Sequence, residues 1–217
     1  MKKNFWKFKY IFKFHFEIKH NFIEIKLHKL NLTQILLKMI WSHKDTDDER
    51  ILFYSLKVFV NLLKGGNSQI QESIYEWFTT TTCSERFFKK IFVTLNQEIG
   101  KLQDKNINVK KGKNKLLIKL LRVLQLFCEG HHLHLQTYMK HQTNSKINYD
   151  LVILTVNSLE SLNICNENFD VISQCLETLT DYSQGPCPIN QMTIVNSKFL
   201  DYAVEILNVY YLILYFL

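Results

Sequence analysis

The chain has 217 residues, 47% of them hydrophobic, with only two prolines and six glycines. That length holds one medium domain with a hydrophobic core, and so few turn-forming residues exclude a turn-rich β fold. The net charge is +7, and residues 1–40, with nine lysines and two acids, supply all of it. The rest of the chain is neutral and lacks the basic footprint of a nucleic-acid binder.

In residues 1–30, phenylalanine and lysine alternate loosely between positions 5 and 16. The pattern fits a strand, a basic amphipathic surface segment or an irregular flank. Lys, His and Glu interrupt it too often for a signal peptide, and nowhere is there an eighteen-residue apolar run of the kind that spans a bilayer. The five cysteines, Cys83, Cys128, Cys165, Cys175 and Cys187, are odd in number and form no CxxC pair. They predict a reducing compartment and no disulfide framework.

Helical order begins near Asn31, with a short helix predicted over Thr33–Trp41. Asp47 or Asp48 is placed to cap a second helix from Glu49 to about Lys64, whose apolar residues Ile51, Leu52, Leu56, Phe59, Val60 and Leu63 recur at helical spacing. Gly65 and Gly66 end it, since glycine accepts the left-handed conformation past a helix end. Ser68 and Gln71 fit a capping box for the next helix. Ser84 opens another that runs to about Lys101, and residues 104–115 form a basic loop. Leu116–Glu129 is strongly helical and stops at Gly130. His131–Lys140, Asn148–Leu162, Asn166–Tyr182 and Ser197–Leu207 follow. Helix after helix with short connections predicts an all-α fold with antiparallel neighbours: an armadillo-like solenoid segment or an irregular helical bundle. The predicted divisions are a basic, aromatic-rich flank at 1–48, a helical domain at 49–206 and an apolar tail at 207–217.

Phosphate-loop, dinucleotide, zinc-protease, serine-hydrolase and EF-hand motifs are absent, so no catalytic residues are predicted and the chain is not read as an enzyme. Cys128, His131, His132 and His134 lie within seven residues, but zinc needs four tetrahedral ligands and no second cluster complements these. They read as loop histidines beside a buried cysteine. Glu129 precedes Gly130, and Asp181 lies four residues before Gly185–Pro186. Both acids therefore fall at helix C-termini, where a carboxylate faces the negative end of the dipole at a cost of about 0.3–1 kcal/mol. A bound cation offsets that cost, although acids at helix ends are also common without any ligand.

The stretches LLRVLQLFCEGHHLHLQTYMKHQ (120–142), INYDLVILTVNSL (147–159) and LETLTDYSQGPCPINQ (176–191) resemble the RIH-associated domain shared by inositol trisphosphate receptors and ryanodine receptors. Residues 51–78 and 87–99 look like the helices that precede that domain. The resemblance covers about 49–206 and fails at 1–30 and in the last ten residues. It implies a piece of a tetrameric calcium release channel, on the cytosolic face of the endoplasmic reticulum or another internal calcium-store membrane. The function it implies is a regulatory scaffold that couples ligand binding to the pore, with the other domains and subunits of the channel as partners. An isolated helical adaptor or a gene fragment without channel activity is the alternative.

In the family, the glutamate of the CEGH-type motif and the acid of the LTEY motif are ligands of activating calcium. The matching positions are Glu129 and Asp181, so the resemblance implies a calcium ion bound weakly at an incomplete site. The third family contact comes from a C-terminal domain that this chain does not contain. Two departures stand out. LTDY replaces LTEY, and aspartate has about 1.5 Å less reach. The connection from Leu162 to Asn168 is also shorter than the family's.

Overall fold

The computed structural model describes residues 24–44, 48–103 and 114–216, with side chains through residue 209. The expectations for residues 1–23 and most of the basic loop at 104–115 fall outside these. The described residues form helices and no strand. In chain order they are α1 (24–29), α2 (Leu32–Ser42), α3 (Glu49–Leu63), α4 (Ser68–Thr80), α5 (Ser84–Gln103), α6 (Lys115–Cys128), α7 (Leu133–Lys140), α8 (Leu151–Glu160), α9 (Phe169–Ser183), α10 (Pro188–Val195) and α11 (Phe199–Phe216).

The caps show why these helices start where they do. The Asp48 side chain accepts from the Arg50 amide at 2.9 Å and opens α3. The Asp150 side chain does the same for α8, accepting from Ile153 N–H at 2.9 Å. At α4 the structure departs from the expected capping box. Asn67 is the cap, its side chain accepting from Ile70 N–H at 3.4 Å. Ser68 is the first helical residue, and Gln71 turns inward. His132 caps α7 through Nδ1, which accepts from Leu135 N–H at 3.3 Å, so that helix begins later than the histidines suggested.

The core is continuous from α2 to α11. Leu36, Leu37 and Ile40 of α2 are buried in the same cluster as Leu56, Phe59 and Leu63 of α3, so packing runs across residue 48. Likewise α11 runs without a break across residue 207. Helix α6 is central: it lies against α3, α5, α7 and α9, and Leu117, Leu120, Leu121 and Leu124 are all buried. Leu151, Leu154, Leu159 and Leu179 are buried as well, while Leu176 is half-buried at the edge of the core. The five cysteines are free; Cys128, Cys175 and Cys187 are buried, and burial pushes the Cys175 thiol up to about 12.

Turns then bring the helix ends together. Gly66 sits at φ 69°, and a Cβ there would lie 3.1 Å from the Glu129 carbonyl oxygen. Gly185 sits at φ 83°, and a Cβ there would lie 3.3 Å from the His131 side chain. Glycine at these two points supplies the left-handed turn and the room for close approach. The turn after α3 therefore touches the end of α6, and the turn after α9 touches His131, just past that end.

Candidate metal centre

The C-terminal ends of α6 and α9 meet. The last carbonyls of a helix lack intrahelical partners, and buried amide side chains satisfy several of them here. Gln71 Nε2 donates to Leu126 O at 2.9 Å and to Glu129 O at 2.8 Å, closing the end of α6. Gln136 Nε2 donates to Asp181 O at 2.7 Å and Gln184 O at 2.8 Å, closing the end of α9. Asn190 Nδ2 adds Gln136 O and Tyr182 O, each at 2.8 Å. Both predicted acids are thus held by their backbones at the junction, and their side chains are left to face it.

Glu129 is the C-cap of α6 and is half-buried. Burial pushes its carboxyl above the ordinary value. The Arg122 charge and the Gly65 amide pull it back, and the Asp181 charge adds to the rise. Its Oε2 is buried and has no hydrogen-bond partner. Asp181, in the last turn of α9, is also half-buried. Its Oδ2 accepts from Gln125 Nε2 at 2.7 Å. Two acids 52 residues apart in the chain therefore stand at one junction, where the Asp181 charge acts on Glu129.

Among the described residues, no three His, Cys, Asp or Glu side chains gather as a metal cage. The histidines beside Glu129 have other contacts. His131 adopts φ 64° and packs on Gly185. His132 pairs with Glu72 at 3.2 Å, and His134 stacks on Tyr75 with ring centroids 4.9 Å apart. Cys128 is fully buried, and burial holds its thiol protonated. What remains at the junction is a pair of carboxylates at two helix C-termini, both hard oxygen donors. That set suits a hard divalent cation such as calcium, which takes six to eight oxygens, and two carboxylates supply at most four of them. The residues fit one part of such a site, with the orphaned Glu129 Oε2 as the clearest open donor.

The side chains that sequence reasoning missed are amides. Gln71, Gln125 and Gln136 are buried: Gln71 ties the α6 end to α4, Gln136 ties the α9 end to α7, and Gln125 links α6 to α9. The signal for Gln125 was present, since a lone neutral polar residue in LLRVLQLFC lies on the apolar face. Nothing in the sequence indicated its partner.

A fold of packed helices with acids at a shared junction defines an all-α helical segment, and comparison with known proteins shows what part of it resembles. The family described as RyR and IP3R Homology associated matches residues 111–207. A relative from Caenorhabditis elegans, the inositol 1,4,5-trisphosphate receptor itr-1, is 40% identical over 91 residues, covering 36% of this chain and 3% of that protein. The chain thus corresponds to a small part of the length of that receptor. Residues 111–207 are thus similar to the RIH-associated domain of inositol trisphosphate and ryanodine receptors, and Glu129 and Asp181 both lie within them. Among the described residues, no helix is long and apolar enough to cross a membrane.

Proposed function

We propose that this chain acts as a cytosolic regulatory scaffold of an intracellular ligand-gated calcium release channel, with Glu129 and Asp181 contributing part of an activating calcium site. The observation that carries this reading is the meeting of the α6 and α9 C-termini, with two mutually repelling carboxylates and an orphaned Glu129 oxygen. When bound, calcium neutralises that repulsion. Glu129 and Asp181 would hold the ion, Gln71 and Gln136 fix the backbones that present them, and Gly66 lets the α3–α4 turn close over Glu129. The partners are other domains and subunits of a tetrameric channel at the endoplasmic reticulum or another internal calcium store. Oxygens supplied by a second domain would make the ion a link between two bodies. A ligand that favours one relative arrangement of those bodies shifts the gating equilibrium by its differential affinity.

With at most four oxygens from this chain, binding to it alone is expected to be weak. Calorimetric titration of the chain with calcium chloride tests the reading. Weak binding that disappears in Glu129→Gln and in Asp181→Asn supports it. Binding unaffected by either change would remove the calcium site and leave a scaffold, or an isolated helical adaptor, as the function.

A further inference from the structure

The acid pair sits beside a cation that the chain itself provides. Arg122 lies seven residues before Glu129 on α6, two helical turns away on nearly the same face. Its Nη1 donates to Gln125 Oε1 at 2.6 Å. Gln125 is buried, and Gln174 Nε2 fixes its amide from the other side, donating to the same oxygen at 2.7 Å. That orientation aims Gln125 Nε2 at Asp181 Oδ2, 2.7 Å away. A continuous hydrogen-bonded chain therefore runs from the guanidinium to one ligand carboxylate, and the same positive charge acts on the other, Glu129. The guanidinium also has an outward contact. Glu177 Oε2 lies 3.4 Å from Nη1, and its side chain is 53% exposed.

We propose that Arg122 is a tethered internal competitor of the divalent cation, bridging to Asp181 through Gln125 and holding Glu177 as its alternative anchor. The proposal rests on the calcium reading of Glu129 and Asp181. Arginine stays charged at every physiological pH, so its competition is constant and can be relieved only by movement. With a cation held by the carboxylates, the guanidinium would be repelled and Asp181 Oδ2 would leave Gln125. Glu177, one turn before Asp181 on α9, can then take more of the arginine. Arg122 thereby keeps the site weak in this chain alone and raises the cation concentration needed to fill it.

Removal of one positive charge beside a divalent ion in a half-buried site is expected to tighten binding about three- to tenfold. The experiment titrates calcium chloride, with magnesium chloride as a control, into the chain and its Arg122→Gln, Arg122→Lys, Glu177→Gln and Glu129→Gln variants. Thermal melts in chelator confirm folding. The chain has three arginines, Arg50, Arg86 and Arg122, so the Nε–H signal of Arg122 in a nitrogen-15 spectrum is assigned by its loss in Arg122→Gln. Support consists of tighter binding by Arg122→Gln, near-native binding by Arg122→Lys, and a calcium-dependent shift of the Arg122 signal. Glu177→Gln is the second variant: it should weaken binding in the native background and have little effect in combination with Arg122→Gln. Unchanged or weaker binding in Arg122→Gln, with binding still abolished by Glu129→Gln, overturns the competition and leaves the site standing. Failure of both the native chain and Arg122→Gln to bind calcium, or binding indifferent to Glu129→Gln, overturns the site and the competition together.

Discussion

Two regions of this molecule, both built around α6, are held together in opposite ways. Around Phe78 the structure is dry and closed. Its ring centroid lies 5.0 Å from that of Phe88, 5.1 Å from Phe87 and 5.6 Å from Tyr138, offset and tilted pairings that add to simple burial. Even the polar atom in that cluster has partners: Tyr138 Oη donates to Phe78 O at 3.0 Å and lies 3.2 Å from Ser84 Oγ. At the α6–α9 junction the contacts are amides and carboxylates, and buried Glu129 Oε2 and Gln136 Oε1 have no partner. A buried polar group without a partner costs free energy that a ligand can recover. The comparison teaches where each kind of perturbation should register: volume changes in the first region and charge changes in the second.

The largest effect is expected from Phe78→Ala. Loss of a fully buried ring at the centre of the aromatic cluster should destabilise the chain by about 3–5 kcal/mol in urea unfolding. A loss under 1 kcal/mol would mean that this region is not the closed core described above. Next is Gly66→Ala, which forces a side chain into a left-handed residue and against the Glu129 carbonyl. It should cost about 1–2 kcal/mol, and it should also weaken calcium binding because the turn presses on the backbone of a proposed ligand. A stability loss with calcium binding untouched would separate the turn from the site.

Glu129→Gln should act on stability in the opposite sense, and weakly. A carboxyl raised by burial is favourably protonated in the folded state between its unfolded and folded pKa. Its contribution is present below the unfolded value near 4.5 and is lost as pH rises through the folded one. At neutral pH the charged form is therefore a small liability. Because the group is partly solvated, the glutamine variant should gain no more than about 0.5 kcal/mol at pH 7. That gain should vanish near pH 4, as read from unfolding at both pH values. A clear loss of stability at pH 7 would show that the carboxylate is a structural contact and not an open donor. The smallest change in the fold is expected from Asp181→Glu, which restores about 1.5 Å of reach. It should leave the melting temperature within a degree or two while tightening calcium binding, if the shorter side chain limits the site.

The helices were legible because their apolar residues recur at the helical period and glycines mark their ends. Gly65–Gly66, Gly130 and Gly185 all fall at the expected stops. The same signals placed Glu129 at the end of α6 and Asp181 in the last turn of α9. Local chemistry was less secure where several polar residues competed for one role. Asn67 took the cap assigned to Ser68 because its side chain reaches Ile70 N–H, and this left Gln71 free to turn toward α6. The resemblance named the two acids, but spacing alone could not say that residues 52 apart would meet.

By itself, then, the sequence determined that the chain is helical, where its helices end, and which two acids stand at those ends. These are properties of short windows, in which backbone preference and hydrophobic period act on neighbours. Only the tertiary structure decided that the ends of α6 and α9 share a junction, that Gln71, Gln125 and Gln136 hold it, and that Arg122 stands beside the acids. Those contacts join residues up to 58 positions apart. They depend on how α4, α6, α7 and α9 pack, because a side-chain amide selects its partner only after the apolar faces have fixed the distance between helices.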